Sequence, residues 1–160
     1  MNPGWDSDIM GFLKSCTRHG VRMILVGGGA VNFHGYQRHS ADVDFWVDMS
    51  DANVEALSLA LMDLGFERPQ FPLTVLNRTQ NISLKFSPAS PEVELITHYS
   101  SVLDFEDAWA RSEVVEIHGT NVMKWNVLSL EDLIVTKVKA GRPKDLLDVQ
   151  ELQRLRSEPS

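Results

Sequence analysis

The stretch ILVGGGAVNFHGYQRHSADVDFWVD, residues 24–48, decides the reading of this chain. It places Gly27, Gly28 and Gly29 after an apolar, β-branched run over 21–26. It then sets Asp42 and Asp44 inside a second apolar run over 41–47. Side chains alternate across a strand, so the two aspartates share one face. Their Cα atoms lie about 6.6 Å apart at roughly 3.3 Å per residue. Carboxylates at that separation converge on one hard cation or bracket two; without a cation they repel, and at least one pKa rises. Mg²⁺ takes oxygen ligands and usually combines one or two carboxylates with substrate phosphates. The glycines fit the same chemistry, because a strand that ends in Gly-Gly and opens a helix presents backbone N–H groups to an anion. Gly28 precedes Asp42 by 14 positions (42 − 28). That leaves room for a turn, a short helix and entry into the next strand, so a phosphate cradle and the carboxylates would meet at one edge of two neighbouring strands. Each feature alone is common: a glycine run is mostly a tight turn, and Asp-x-Asp is mostly a solvated strand end. Their order and their apolar surroundings single them out together.

Outward from this stretch, apolar spacing predicts a helix over 6–19 closed by Gly20, a buried strand over 21–26, a glycine turn at 27–29 and a short helix over 30–36. A strand over 41–47 and a helix over 51–64 follow, the latter ended by Gly65. The proline-containing stretch RPQFPLTVLNRT has poor periodicity. Beyond it, strands are expected over 82–86 and 93–97, a short helix over 105–111, and a hairpin in VVEIHGTNVMKW turning at Gly119, Thr120 and Asn121. Ser129 reads as an N-cap with Asp132 in the capping-box position. Its helix runs to about Ala140, Gly141 stops it, and Pro143 opens a last helix to about Leu155. Interleaved strands and helices predict an α+β fold: a mixed β-sheet flanked by helices, with a C-terminal helical part over about 129–156, in a single domain over 1–160.

Bulk properties narrow the function classes. A net charge of −7 removes the global footprint of a non-specific nucleic-acid binder, although a local basic groove remains open. Cys16 is the single cysteine, so neither a disulfide framework nor a cysteine-rich zinc site is expected. His34, His39, His98 and His118 show no ligand spacing with one another. No signal peptide and no membrane-spanning run is read from the sequence, which fits a cytoplasmic protein without a membrane partner.

At this point a resemblance enters. Gly27-Gly28 followed by Asp42-Val43-Asp44 on the next strand resembles the signature of the DNA polymerase β-type nucleotidyltransferase superfamily. The turn Gly27-Gly28-Gly29-Ala30 and the run Arg38-His39-Ser40-Ala41-Asp42-Val43-Asp44 look most like its minimal AbiEii-like branch. So does LSLEDLIVTKVKAGRPKDLLDVQEL, with Lys137, Arg142, Asp145 and Asp148 in a Lys-x4-Arg-x2-Asp-x2-Asp pattern. Residues 66–90 match nothing in that branch.

The resemblance implies a nucleotidyltransferase-like fold and transfer of a nucleoside monophosphate from an NTP to an acceptor hydroxyl. Two Mg²⁺ ions, or Mn²⁺, would be held by Asp42, Asp44 and a third carboxylate acting as general base. Glu94, between Val93 and Leu95, is the candidate, with Glu92 ranked second. The superfamily more often has Asp here, and Glu is longer by one methylene. A charged residue on a solvated edge face is the plainer reading of Glu94. Nucleotide contacts are assigned to Gly27, Gly28, Arg38, Ser40, Lys137 and Arg142. Lys137 falls on the helix face of Leu133 and Ile134, where a charge gains nothing from packing. It either snorkels to water or holds phosphate as a point charge. Asp145 and Asp148 read as first-turn acids that cap the last helix and pair with Lys137 or Arg142.

Acceptors among relatives include tRNA ends, protein hydroxyls and aminoglycosides, and the branch implies a toxin–antitoxin or phage-defence setting with a cognate partner. Two alternatives stay open: a nucleotide-binding partner or antitoxin module with weak catalysis, and an aminoglycoside nucleotidyltransferase.

Overall fold

The computed structural model describes residues 5–36, 42–120 and 122–157. Arg38 and Ser40 lie outside the described residues. Among the described residues the sheet has six strands: β1 (Met23–Val26), β2 (Val43–Val47), β3 (Ile82–Leu84), β4 (Val93–Ile96), β5 (Glu113–Ile117) and β6 (Met123–Val127), in the order β3-β4-β2-β1-β6-β5. β1 runs antiparallel to β2 and parallel to β6, and β2 runs parallel to β4. β3 and β5 close the two edges as antiparallel partners of β4 and β6. The sheet is therefore mixed, and helices flank it as the interleaved pattern requires.

All four residues of β1 are buried, which accounts for its lack of alternation. β2 does alternate in its surroundings. Phe45 meets the Trp5 ring at 6.2 Å, whereas Trp46 meets Tyr99 and Phe105 at 5.4 and 5.1 Å. Asp44 therefore shares the Trp46 face.

The first helix, α1 (Ser7–His19), starts where Asp6 Oδ1 accepts from the Ile9 N–H and buries Ile9, Phe12, Leu13 and Cys16. α3 (Asp51–Asp63) is capped by Ser50 and packs on α1, where Ser15 Oγ donates to the Ala60 carbonyl at 2.7 Å. Buried Asn53 accepts from Arg22 N and donates to the Arg22 and Asp48 carbonyls, tying α3 to the start of β1 and the end of β2. Two further helices, α6 (Leu130–Ala140) and α7 (Pro143–Ser157), follow the hairpin. Ser129 caps the first and left-handed Gly141 ends it. No helix among the described residues is long and apolar enough to cross a membrane.

Local details differ from the sequence expectation, first of all that β2 begins at Val43, so Asp42 precedes the strand and strand alternation does not set its direction. The glycines are not a turn ahead of a helix but the first turn of α2 itself (Gly27–Phe33). Gly27 takes φ +62° and redirects the chain within one residue. A one-turn helix, α4 (Leu73–Leu76), interrupts the irregular middle and buries Val75; four residues are too few to display a period. β3 stops at Leu84, and Phe86 turns its ring to Phe12 and Phe66. A short helix, α5 (Phe105–Arg111), begins at Asp104 as expected.

Candidate active site

Strand register assembles the site. Because β1 and β2 are antiparallel, Val26, the last residue before the glycines, lies opposite Asp44. Because β2 and β4 are parallel, Glu94 also lies opposite Asp44. Directly opposed residues point to the same face, so Asp44 has the start of α2 on one side and Glu94 on the other. Asp42 is exposed just before β2, Glu94 is half-buried, and the Glu92 carbonyl accepts from the Val43 N–H.

The approach of Gly27 to Asp44 is tight. A Cβ at Gly27 would stand 2.7 Å from Asp44 Oδ2, so only glycine leaves the carboxylate where it is. A Cβ at Gly29 would meet Leu25 Cδ1 at 2.9 Å, which lets α2 lie close against β1. Gly28 is buried in the same helical turn.

A cleft of about 260 Å³ opens on this face. It is lined by Gly27, Asp44, Tyr99, Thr136, Lys137 and Arg142, with Asp145 at its base. Lys137 Nζ is 2.9 Å from Asp148 Oδ2 and 3.6 Å from Asp145 Oδ1. Arg142 forks onto Asp145, Nε to Oδ2 at 2.6 Å and the terminal nitrogen to Oδ1 at 3.2 Å. That fork, with Lys137 behind it, holds the Asp145 carboxyl below its ordinary pKa. Asp44 is shifted the other way. Burial first, then the charges of Asp42 and Glu94, raise its pKa, and Lys137 offsets part of the rise.

Among the described residues, no three His, Cys, Asp or Glu side chains stand ready to hold a metal ion. Glu94 Oε2 instead accepts from Ser83 Oγ at 2.6 Å. The donor chemistry nonetheless suits a hard divalent cation. Asp42, Asp44 and Glu94 offer only carboxylate oxygens, and their mutual repulsion at Asp44 is what a cation would relieve.

A family model described as a nucleotidyltransferase of unknown function, DUF6036, matches residues 8–157. The chain belongs to this family. A comparison with curated proteins finds no match. The match covers the glycine turn, the facing acids and the two C-terminal helices.

Of the residues singled out in the sequence, the fold of this nucleotidyltransferase brings Gly27, Asp44, Lys137 and Arg142 to one cleft, with Glu94 beside Asp44. Arg142 lies at the rim, with 61% of its side chain exposed. Three residues were not anticipated: Tyr99, Thr136 and Ser83. Ser83 sits at the β3 position opposite Glu94, a pairing that no local pattern announces. Tyr99 follows β4 by three positions (99 − 96), and its place depends on which strand β4 joins. Thr136 had a visible signal, because it directly precedes Lys137 on one helix.

Proposed function

We propose that this nucleotidyltransferase moves a nucleoside monophosphate from an NTP to an acceptor hydroxyl with the help of Mg²⁺. The observation that carries the reading is the in-register facing of Asp44 and Glu94 on parallel strands, over a cleft that also holds Gly27 and Lys137. Asp42, Asp44 and Glu94 would hold Mg²⁺, or Mn²⁺, which when bound polarises phosphoryl oxygens and lowers the pKa of an acceptor hydroxyl.

The chain's own groups do the rest. Lys137 and Arg142 meet the triphosphate as cations, and the backbone at Gly27 and Gly28 lets phosphate approach closely. Glu94 takes the proton of the acceptor hydroxyl. The acceptor oxygen bonds to the α-phosphorus, the bond from that phosphorus to the bridging oxygen breaks, and pyrophosphate leaves with the electron pair. Arg38 and Ser40 belong to this proposal as nucleotide contacts. We assign the chain to the AbiEii-like branch, in the cytoplasm, with tRNA, a protein or an aminoglycoside as acceptor and a toxin–antitoxin or phage-defence system as its setting.

A second reading, nucleotide binding without efficient transfer, is favoured by one contact: Glu94 is already engaged by Ser83. Incubation of the protein with each labelled NTP, Mg²⁺ and a cell extract separates the two. Label arriving on an extract component with wild type, and not with Asp44→Asn, supports transfer. NTP binding with no label transferred supports the second reading.

A further inference from the structure

Tyr99 lies just past β4, its ring 5.4 Å from Trp46, on the wall of the cleft that holds Asp44 and Lys137. Two hydrogen bonds fix which way its proton points. Thr136 Oγ1 is 2.9 Å from the Leu133 carbonyl oxygen. A carbonyl only accepts, so the single Thr136 proton is committed there. Thr136 Oγ1 is also 3.1 Å from the Tyr99 hydroxyl oxygen. With its own proton committed, Thr136 accepts at this contact, and Tyr99 donates. Burial raises the Tyr99 pKa, and the charges of Asp145 and Asp44 raise it further, so the phenol stays protonated at neutral pH. The Tyr99 oxygen then has only lone pairs to offer a ligand.

We propose that Tyr99 presents a hydrogen-bond acceptor to the cleft and selects ribonucleoside triphosphates through a sugar hydroxyl. The inference rests on the nucleotidyltransferase reading given above. The sugar is the donor-bearing part of a nucleotide closest to its phosphates, and Tyr99 lines the same cleft as Lys137, the cation assigned above to the triphosphate. The cleft, at about 260 Å³, is smaller than the roughly 300–1,000 Å³ of pockets that enclose a whole ligand. It has room for phosphates and sugar, and the base lies outside.

The test is calorimetric binding of ATP, 2′-deoxy-ATP and 3′-deoxy-ATP in Mg²⁺ to wild type, Tyr99→Phe and Thr136→Val. Wild type is expected to bind ATP roughly two- to tenfold more tightly than at least one deoxy analogue. Tyr99→Phe keeps the ring against Trp46 and brings that ratio to about one. Thr136→Val keeps the Tyr99 hydroxyl but frees its proton to turn into the cleft, so the ratio falls there too. A ratio of one in wild type, or an undiminished ratio in Tyr99→Phe, overturns the proposal and leaves the nucleotidyltransferase reading standing. A ratio lost in Tyr99→Phe but kept in Thr136→Val overturns the acceptor assignment. No ATP binding by wild type overturns both the proposal and the reading beneath it.

Discussion

Lys137 Nζ stands 2.9 Å from Asp148 Oδ2 between α6 and α7, with only 9% and 2% of the two side chains exposed. An apolar helix stripe alone says that a lysine there is idle in packing. The pair says otherwise, because two buried acids of α7, Asp145 and Asp148, depend on it. Breaking a buried pair by removing one partner costs about 3–5 kcal/mol.

Lys137→Met is therefore expected to lose about that much stability in denaturant titration, and to bind NTP more weakly. Lys137→Met combined with Asp148→Leu should recover much of the stability, since no charge is then stranded, while leaving NTP binding weak. A single variant within about 0.5 kcal/mol of wild type would show that the pair is not structural.

Asp44 gives a pH signature. Its folded pKa is raised, so ionisation disfavours the folded state, and the penalty grows as pH rises through that raised value. Asp44→Asn removes the ionisation. The variant should melt higher than wild type at neutral pH, and the difference should vanish in acid below the ordinary carboxylate range, where Asp44 is neutral in both states. Added Mg²⁺ should raise the wild-type melting temperature and leave the variant unmoved. A difference that does not depend on pH would contradict the electrostatic account.

The two glycine contacts separate chemistry from packing. Gly27→Ala strains a left-handed residue by about 1–2 kcal/mol and pushes on the Asp44 carboxylate. Its kcat/KM for NTP should fall well beyond what the stability loss explains. Gly29→Ala meets only Leu25, so its effect is overpacking of about 1–3 kcal/mol. Activity of its folded fraction should stay near wild type. Equal activity losses in the two variants, at a temperature where both are folded, would undo the distinction.

Glu94→Gln keeps the shape and the contact with Ser83 while removing the base. Single-turnover rates are expected to drop by about 10²–10⁴ with little change in melting temperature, because the Ser83 contact is kept and the residue is only half-buried. A rate within about threefold of wild type would assign proton removal to another group.

The fold was largely readable because its signals are local. Ser129 caps α6 as its sequence context indicates, and Asp6, Ser50 and Asp104 cap helices whose spans the apolar spacing marks out. The buried run of β1 and the two acids of 41–47 announce adjacent strands. What escaped was long-range. Which strand lies beside β2 decides whether Glu94 faces Asp44, and that pairing is parallel, so no hairpin turn encodes it. Ser83 and Tyr99 acquire their positions from the same pairing. Lys137 was read as lying on the face of Leu133, and both residues are buried. Its partners were legible only as first-turn acids, because their burial depends on how α7 folds back over α6.

That fold-back has a consequence for how the chain is made. Asp44 emerges from the ribosome about ninety residues before Lys137 (137 − 44 = 93), and Lys137 comes out before Asp148 that neutralises it. A nascent chain can form β1, α2 and β2 from neighbouring segments. It then carries uncompensated acids on one sheet face until α6 and α7 arrive. Contacts of such separation form slowly because loop closure must precede them. The cleft is thus completed last, by the docking of two helices, and a chain interrupted in the Gly141–Pro143 turn would hold Lys137 without the Asp145 and Asp148 that pair with it.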